Sequence, residues 1–241
     1  MTALVLIHAF PLSGAMWEHE RRALRDVADP IIAPSLPGFG GTAVPRGDLT
    51  MDDYADSIVA AMDAAKIERA AVAGMSMGGY VAFAMWRRHR PRIERLFLAD
   101  TRAEADTEEA RDRRLRLAAL IREKGIEALL KTPPQWLRKD SPHWDPLLKA
   151  IRGQAPEAVA QGCIAMAHRT DSRPDLPTID VPTAVVVGEE DTITPLEMAQ
   201  AMSDEIPGAT LSIIPRAAHI ANIEAPAAFG TAMRRWLQRT A

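Results

Sequence analysis

Apolar positions in this chain fall in short unbroken runs, separated by longer stretches in which they recur every three or four residues. The runs have strand length and end at Gly, Pro or Asp, whereas the spaced stretches have helix length. Regular alternation of the two predicts an α/β fold, with a mostly parallel sheet buried on both faces by crossover helices. Strands are expected at residues 3–7, 31–33, 70–74, 95–99, 183–187 and near 211–214. Helices are expected at about 16–27, from Thr50 or Asp52 to 65, at 77–89, from Pro195, and at 226–238. The brief run at 31–33 lies between Pro30 and Pro34, which suits an edge strand because proline has no N–H to offer a further neighbour.

The pattern changes from about residue 101 to 175. β-Branched runs vanish, and charged, Ala- and Leu-rich helical segments are broken at Gly125, Pro133, Pro134, Pro142 and Pro156. We read 101–175 as a helical cap inserted into a core made of 1–100 and 176–241.

Composition narrows this picture without selecting a function. The 241 residues are 47% hydrophobic and 25% charged, as in an ordinary soluble domain. A net charge of −3 gives no electrostatic footprint for nucleic acid and no basic patch for a membrane surface. The apolar start at 3–10 is too short to span a bilayer and has no positive flank, so a cytoplasmic location is expected. The single cysteine, Cys163, permits no internal disulfide. No H-E-x-x-H, Walker A or strand–GxGxxG–helix pattern occurs, so neither a metal nor another cofactor is expected.

Chemistry enters at Gly74-Met-Ser76-Met-Gly78, a G-x-S-x-G sequence between a small-residue strand and a helix. That context raises a serine on a strained turn, its hydroxyl projecting from the sheet edge. A serine hydroxyl is a poor nucleophile at neutral pH and needs a base, which in turn needs an orienting acid. His219 follows the last strand and Asp191 the one before, both at C-terminal strand ends where an open α/β sheet places its chemistry. His8, before the turn at Pro11, reads as structural. Two backbone N–H groups must hold the oxyanion; Met77 and Phe10 are the expected donors, since Pro11 has none.

These segments resemble the α/β-hydrolase superfamily over nearly the whole chain. His8-Ala-Phe-Pro11 is similar to its oxyanion loop, Leu36-Pro-Gly-Phe-Gly40 to its glycine turn, and Gly74-Met-Ser-Met-Gly-Gly79 to its nucleophile elbow. Gly188-Glu-Glu-Asp191 and His219 resemble its acid and base segments; Asp100 ends the strand before the insertion, a position some relatives use for the acid, and is the rival to Asp191. Serine esterases and enol-lactonase-like proteins are the most similar branch. Ala9 and Ala218 replace glycines usual in the family. Relatives also carry a β-hairpin before the first parallel strand, and its absence here implies about six strands.

The resemblance implies acyl transfer from a small ester or lactone to water. Trp136, Trp144, Ile164, Ile193 and Ile220, with Leu129, Leu130, Leu137, Met166 and Met77, are candidates to line an apolar pocket over Ser76. Arg102 and Arg169 are candidates to bind a substrate carboxylate instead. Two other readings keep the same triad: a small-molecule receptor with very slow turnover, and a cofactor-free perhydrolase or haloperoxidase-like enzyme.

Overall fold

The computed structural model describes residues 1–239. One sheet contains β1 (Thr2–Ile7), β2 (Ala28–Ile32), β3 (Ala70–Met75), β4 (Ile93–Ala99), β5 (Thr183–Gly188) and β6 (Thr210–Ile214). The strand order is β2-β1-β3-β4-β5-β6, and every neighbouring pair is parallel. The unbroken apolar runs occupy the four inner strands, and the half-exposed β2 and β6 form the edges.

The core helices are α1 (Glu18–Ala23), α2 (Met51–Ala64) and α3 (Met77–His89). Between β4 and β5 come α4 (Glu108–Lys124), α5 (Glu127–Leu130), α6 (Trp144–Arg152) and α7 (Pro156–Ala167). The chain closes with α8 (Leu196–Glu205), α9 (Ala221–Glu224) and α10 (Pro226–Gln238). None of the described helices is long and apolar enough to cross a membrane. Phe97 of β4 packs against Phe229 and Trp236 of α10, with ring centroids 5.5 and 5.2 Å apart, in the core between sheet and helix.

Local sequence explains most boundaries. Thr50 and Asp53 form a reciprocal capping box at the start of α2, which satisfies two otherwise orphaned donors. Gly125 stops α4 with φ +77°, and Pro156 opens α7 where its missing N–H costs nothing. Two expectations needed correction. The helix expected at 16–27 is a 3-10 turn over Gly14–Trp17 followed by the short α1. Ala28 already pairs with Thr2, so the chain must leave the helix early to reach the sheet. The edge strand is Ala28–Ile32, with Pro30 inside it rather than at its end. Register shifts between Thr2 and Leu4, opposite Asp29 and Pro30, so the ladder absorbs the missing donor there.

The α4–α7 segment lies against the glycine turn. Gly40 N–H donates to Gln154 Oε1 at 2.9 Å, and Gln161 Nε2 donates to the carbonyls of Pro45 and Gly47. On the return path, Arg87 of α3 binds both Ser172 and Asp175 at 2.7 Å.

Candidate active site

Ser76 sits between β3 and α3 with φ +53° and ψ −114°, a strained conformation for a residue with a side chain. Its flanking glycines make the turn possible. A Cβ on Gly74 would lie 2.2 Å from the Gly78 carbonyl oxygen, and one on Gly78 2.2 Å from that of Ile7. Gly78→Ala is therefore expected to push α3 off β1 and lower the melting temperature. Overpacking of this kind costs about 1–3 kcal/mol, and a thermal melt checks it. The Ser76 backbone is fixed from both sides: its N–H donates to Ala99, and its carbonyl accepts from the Thr101 hydroxyl at 2.8 Å.

Three side chains then form a hydrogen-bonded chain. The Ser76 hydroxyl lies 2.8 Å from His219 Nε2, and His219 Nδ1 lies 2.9 Å from Asp191 Oδ2. All three are buried. Asp191 also accepts from the N–H groups of Ile193 and Thr194 through Oδ1, and from the Thr194 hydroxyl through Oδ2 at 2.6 Å. Burial pushes this carboxyl up, but His219 and the Thr194 bonds outweigh it and hold it below its ordinary value. An ionised acceptor at Oδ2 places the imidazole proton on Nδ1 and leaves Nε2 to accept from serine.

Asp100 occupies another position. Its Oδ1 accepts from Gly188 N–H at 2.7 Å and its Oδ2 from Ala221 N–H at 3.4 Å, with no bond to His219. Burial, and then the neighbouring Asp191 charge, raise this carboxyl well above the ordinary range. It joins the ends of β4 and β5 to the segment after His219.

The segment before α1 supplies the other wall. Met77 opens α3, where its N–H has no intrahelical acceptor, and among the described residues neither it nor the Phe10 N–H donates to the protein. His8 is fully buried, donates from Nδ1 to Ala9 O and accepts Leu36 N–H on Nε2. Burial lowers it to about 4, so it stays neutral and fastens the loop at 8–12 to the glycine turn. Ala9 is buried, and its N–H meets the Met16 sulfur at 3.2 Å. Ala218 is likewise held, its N–H donating to Glu224 Oε2 at 2.7 Å.

The pocket candidates are distributed differently. Ile193 and Ile164 are half-buried, and Ile220 is buried directly after His219. Trp136 is buried and its carbonyl accepts Ile220 N–H; Trp144 donates its indole N–H to the Arg138 carbonyl. One apolar cavity, about 190 Å³, lies elsewhere: between the 3-10 turn and α6, lined by Leu12, Met16, Leu147, Ala150 and Ile223, with His143 beside them. Arg102 and Arg169 turn inward. Both bind Asp106 at 2.7 Å, and Arg169 also stacks 4.3 Å over the Tyr80 ring. Cys163 is buried, which pushes its thiol up to about 12 and leaves it inert.

Sequence reasoning missed Thr194, Glu224 and Asn222. The first had a signal, since an Asp-x-x-Thr spacing lets the hydroxyl reach back to the carboxylate. The other two gave none, because their partners are 6 and 202 positions away in sequence.

Known proteins share this fold over nearly the whole chain. The 3-oxoadipate enol-lactonase 2 of Acinetobacter baylyi is 27% identical, over 98% of this chain and 89% of its own. A thermophilic esterase from Thermogutta terrifontis superposes with a TM-score of 0.92 at 35% identity, covering 99% of this chain and 90% of that one. The enol-lactonase from Burkholderia xenovorans LB400 gives 0.89 at 27%, covering 99% and 92%. Residues 4–232 match the model of the alpha/beta hydrolase family, and the chain belongs to that family.

Proposed function

We propose that the protein is a serine hydrolase that cleaves a small, uncharged carboxylic ester or lactone through an acyl-enzyme. The observation that carries this reading is the continuous chain from Ser76 through His219 to Asp191; the unbonded N–H groups of Phe10 and Met77 follow the ends of the paired strands β1 and β3. In the first half-reaction His219 Nε2 takes the Ser76 proton as Oγ bonds to the carbonyl carbon. Phe10 and Met77 N–H groups stabilise the resulting oxyanion, and Asp191 stabilises the imidazolium. Collapse expels the alcohol, which leaves with the proton from His219. Water then repeats the sequence, giving the acid and free serine. In a lactone the expelled alcohol stays attached to the acyl chain.

The form of the substrate follows from what surrounds this chain. Arg102 and Arg169, the candidates to bind a carboxylate, are held by Asp106, which supports a neutral substrate. The apolar slot begins two residues beyond Phe10, and its Ile223 wall stands one helical turn beyond His219. Its volume suits one ring or a short alkyl group; an apolar cavity of about 150 Å³ accepts benzene. Residues 101–175 act as a cap whose α6 closes the slot.

A p-nitrophenyl ester chain-length series, run beside unsubstituted lactones, tests the reading. Turnover is expected for short acyl chains, and none with either class would refute it. Ala150→Phe is expected to cut kcat/KM for the longer or aryl substrates by about tenfold and to spare the acetate, since lost apolar contacts are worth about 1–3 kcal/mol. A uniform loss across the series would place the substrate outside the slot.

A further inference from the structure

Glu20 is a carboxylate-bearing residue that the mechanism does not use, and its side chain is completely buried on α1. Its Oε2 accepts from Asn222 Nδ2 at 3.4 Å, and the same Nδ2 donates to the Met16 carbonyl at 3.2 Å. The remaining oxygens, Glu20 Oε1 and Asn222 Oδ1, are both buried and have no partner among the described residues. The Trp17 indole N–H, three residues earlier, bonds to neither. An ionised Glu20 would leave two orphaned acceptors and a buried charge, an arrangement that burial strongly disfavours. One proton on Oε1 converts that atom into a donor and matches it to Asn222 Oδ1. With that proton the acid and the amide carry complementary donors and acceptors for a ring of two hydrogen bonds, of which Nδ2 to Oε2 is seen.

We propose that Glu20 is held as the neutral acid, paired with the Asn222 amide, and that this pair positions His219 and the oxyanion loop for catalysis. Asn222 lies three residues after His219, on α9. Met16, whose carbonyl accepts from Asn222, uses its sulfur to hold Ala9 N–H beside Phe10. One buried pair therefore ties the base and one oxyanion donor to the same 3-10 turn. Glu20 is a positioning residue: it contacts none of the reacting atoms.

Among the described residues, the charges on the surrounding elements are committed elsewhere. On α1, Glu18 pairs with Arg21 and Arg22, and His19 is exposed. Arg234 of α10 is taken up by Asp26 and the Ala23 carbonyl. Glu224 of α9 accepts from Ala218 and Arg138 N–H groups. His219 is committed to Ser76 and Asp191, and Asp100 to Gly188 and Ala221. Burial, opposed only by smaller hydrogen-bond effects, pushes the Glu20 carboxyl up to about 7. Its folded value thus exceeds its unfolded one. The fold loses stability as pH rises from the unfolded value through about 7, where the buried pair must give up its proton.

The positioning role rests on the serine-hydrolase reading, and the test separates the two. Thermal melts of wild type and Glu20→Gln are compared from pH 5 to 8.5, with kcat and KM for p-nitrophenyl acetate over the same range. Gln supplies the donor and acceptor of the protonated acid at every pH. At pH 5 the two melting temperatures are expected to lie close together. By pH 8.5 the variant is expected to melt higher by roughly 5 °C. Wild-type kcat is expected to fall by about tenfold from pH 7 to 8.5 with KM little changed, following the lost neutral fraction, while the variant stays flat. Parallel melting curves would overturn the protonated pair and leave the hydrolase reading intact. Diverging melts with identical pH profiles of kcat would overturn the positioning role alone. No turnover by either protein would overturn the hydrolase reading and the positioning role with it.

Discussion

Ser76→Ala is expected to lower kcat for a p-nitrophenyl ester by about 10⁶, the scale on which a serine triad fails when its nucleophile is removed. The alanine variant still presents the Phe10 and Met77 N–H groups, so a residual acceleration of about 10³–10⁴ over the uncatalysed reaction can persist through water attack. Its fold should survive, because the Ser76 main chain is held by Ala99 and Thr101 rather than by its hydroxyl. Unchanged melting, lost turnover and lost labelling by a fluorophosphonate are the three readings to be taken together. Labelling of the alanine variant at another residue would move the nucleophile away from the elbow.

Asp191→Asn is expected to cost about 10⁴ in kcat, whereas Asp100→Asn should stay within about tenfold of wild type. The amide at 191 can turn its NH₂ toward His219 Nδ1 and favour the tautomer with the proton on Nε2. That tautomer cannot accept from serine. Asp191 also anchors its own loop through Ile193, Thr194 and the Thr194 hydroxyl, so Asn retains part of that scaffold and little unfolding is expected. Asp100 makes no bond to His219, and burial raises its carboxyl; an amide there keeps an oxygen to accept from the Gly188 N–H. Measurement of kcat for both variants on one ester decides between them. A larger loss at Asp100 would reverse the assignment of the acid.

Much of this fold is legible in the amino-acid sequence. The inner strands stand out because a strand covered on both faces must be apolar throughout. The α3 boundaries at Met77 and His89 match the pattern, as do those of α10 at Pro226 and Gln238. Elements at the sheet's edge are less legible. Pro30 suggests a strand end, yet a parallel ladder with a shifted register accepts it inside β2. The early end of α1 depends on a pairing between Ala28 and Thr2 that no local pattern announces.

The site divides along the same line. Ser76, His219 and the two acid candidates follow from motif, chain order and strand ends, all properties of the local chain. The choice between Asp191 and Asp100 does not. β4 and β5 are neighbours in the sheet, so Asp100 is placed beside the Gly188 N–H and spent there. Asp191, three residues past that strand end, turns back with Thr194 to face His219. Arg102 and Arg169 are another case, since only folding reveals that Asp106 claims them. Local spacing thus determined which chemical groups the chain carries and which strand ends present them. Tertiary packing decided which donor meets which acceptor, because those bonds join segments far apart in sequence. The Glu20–Asn222 pair, 202 positions apart, exists only by that closure.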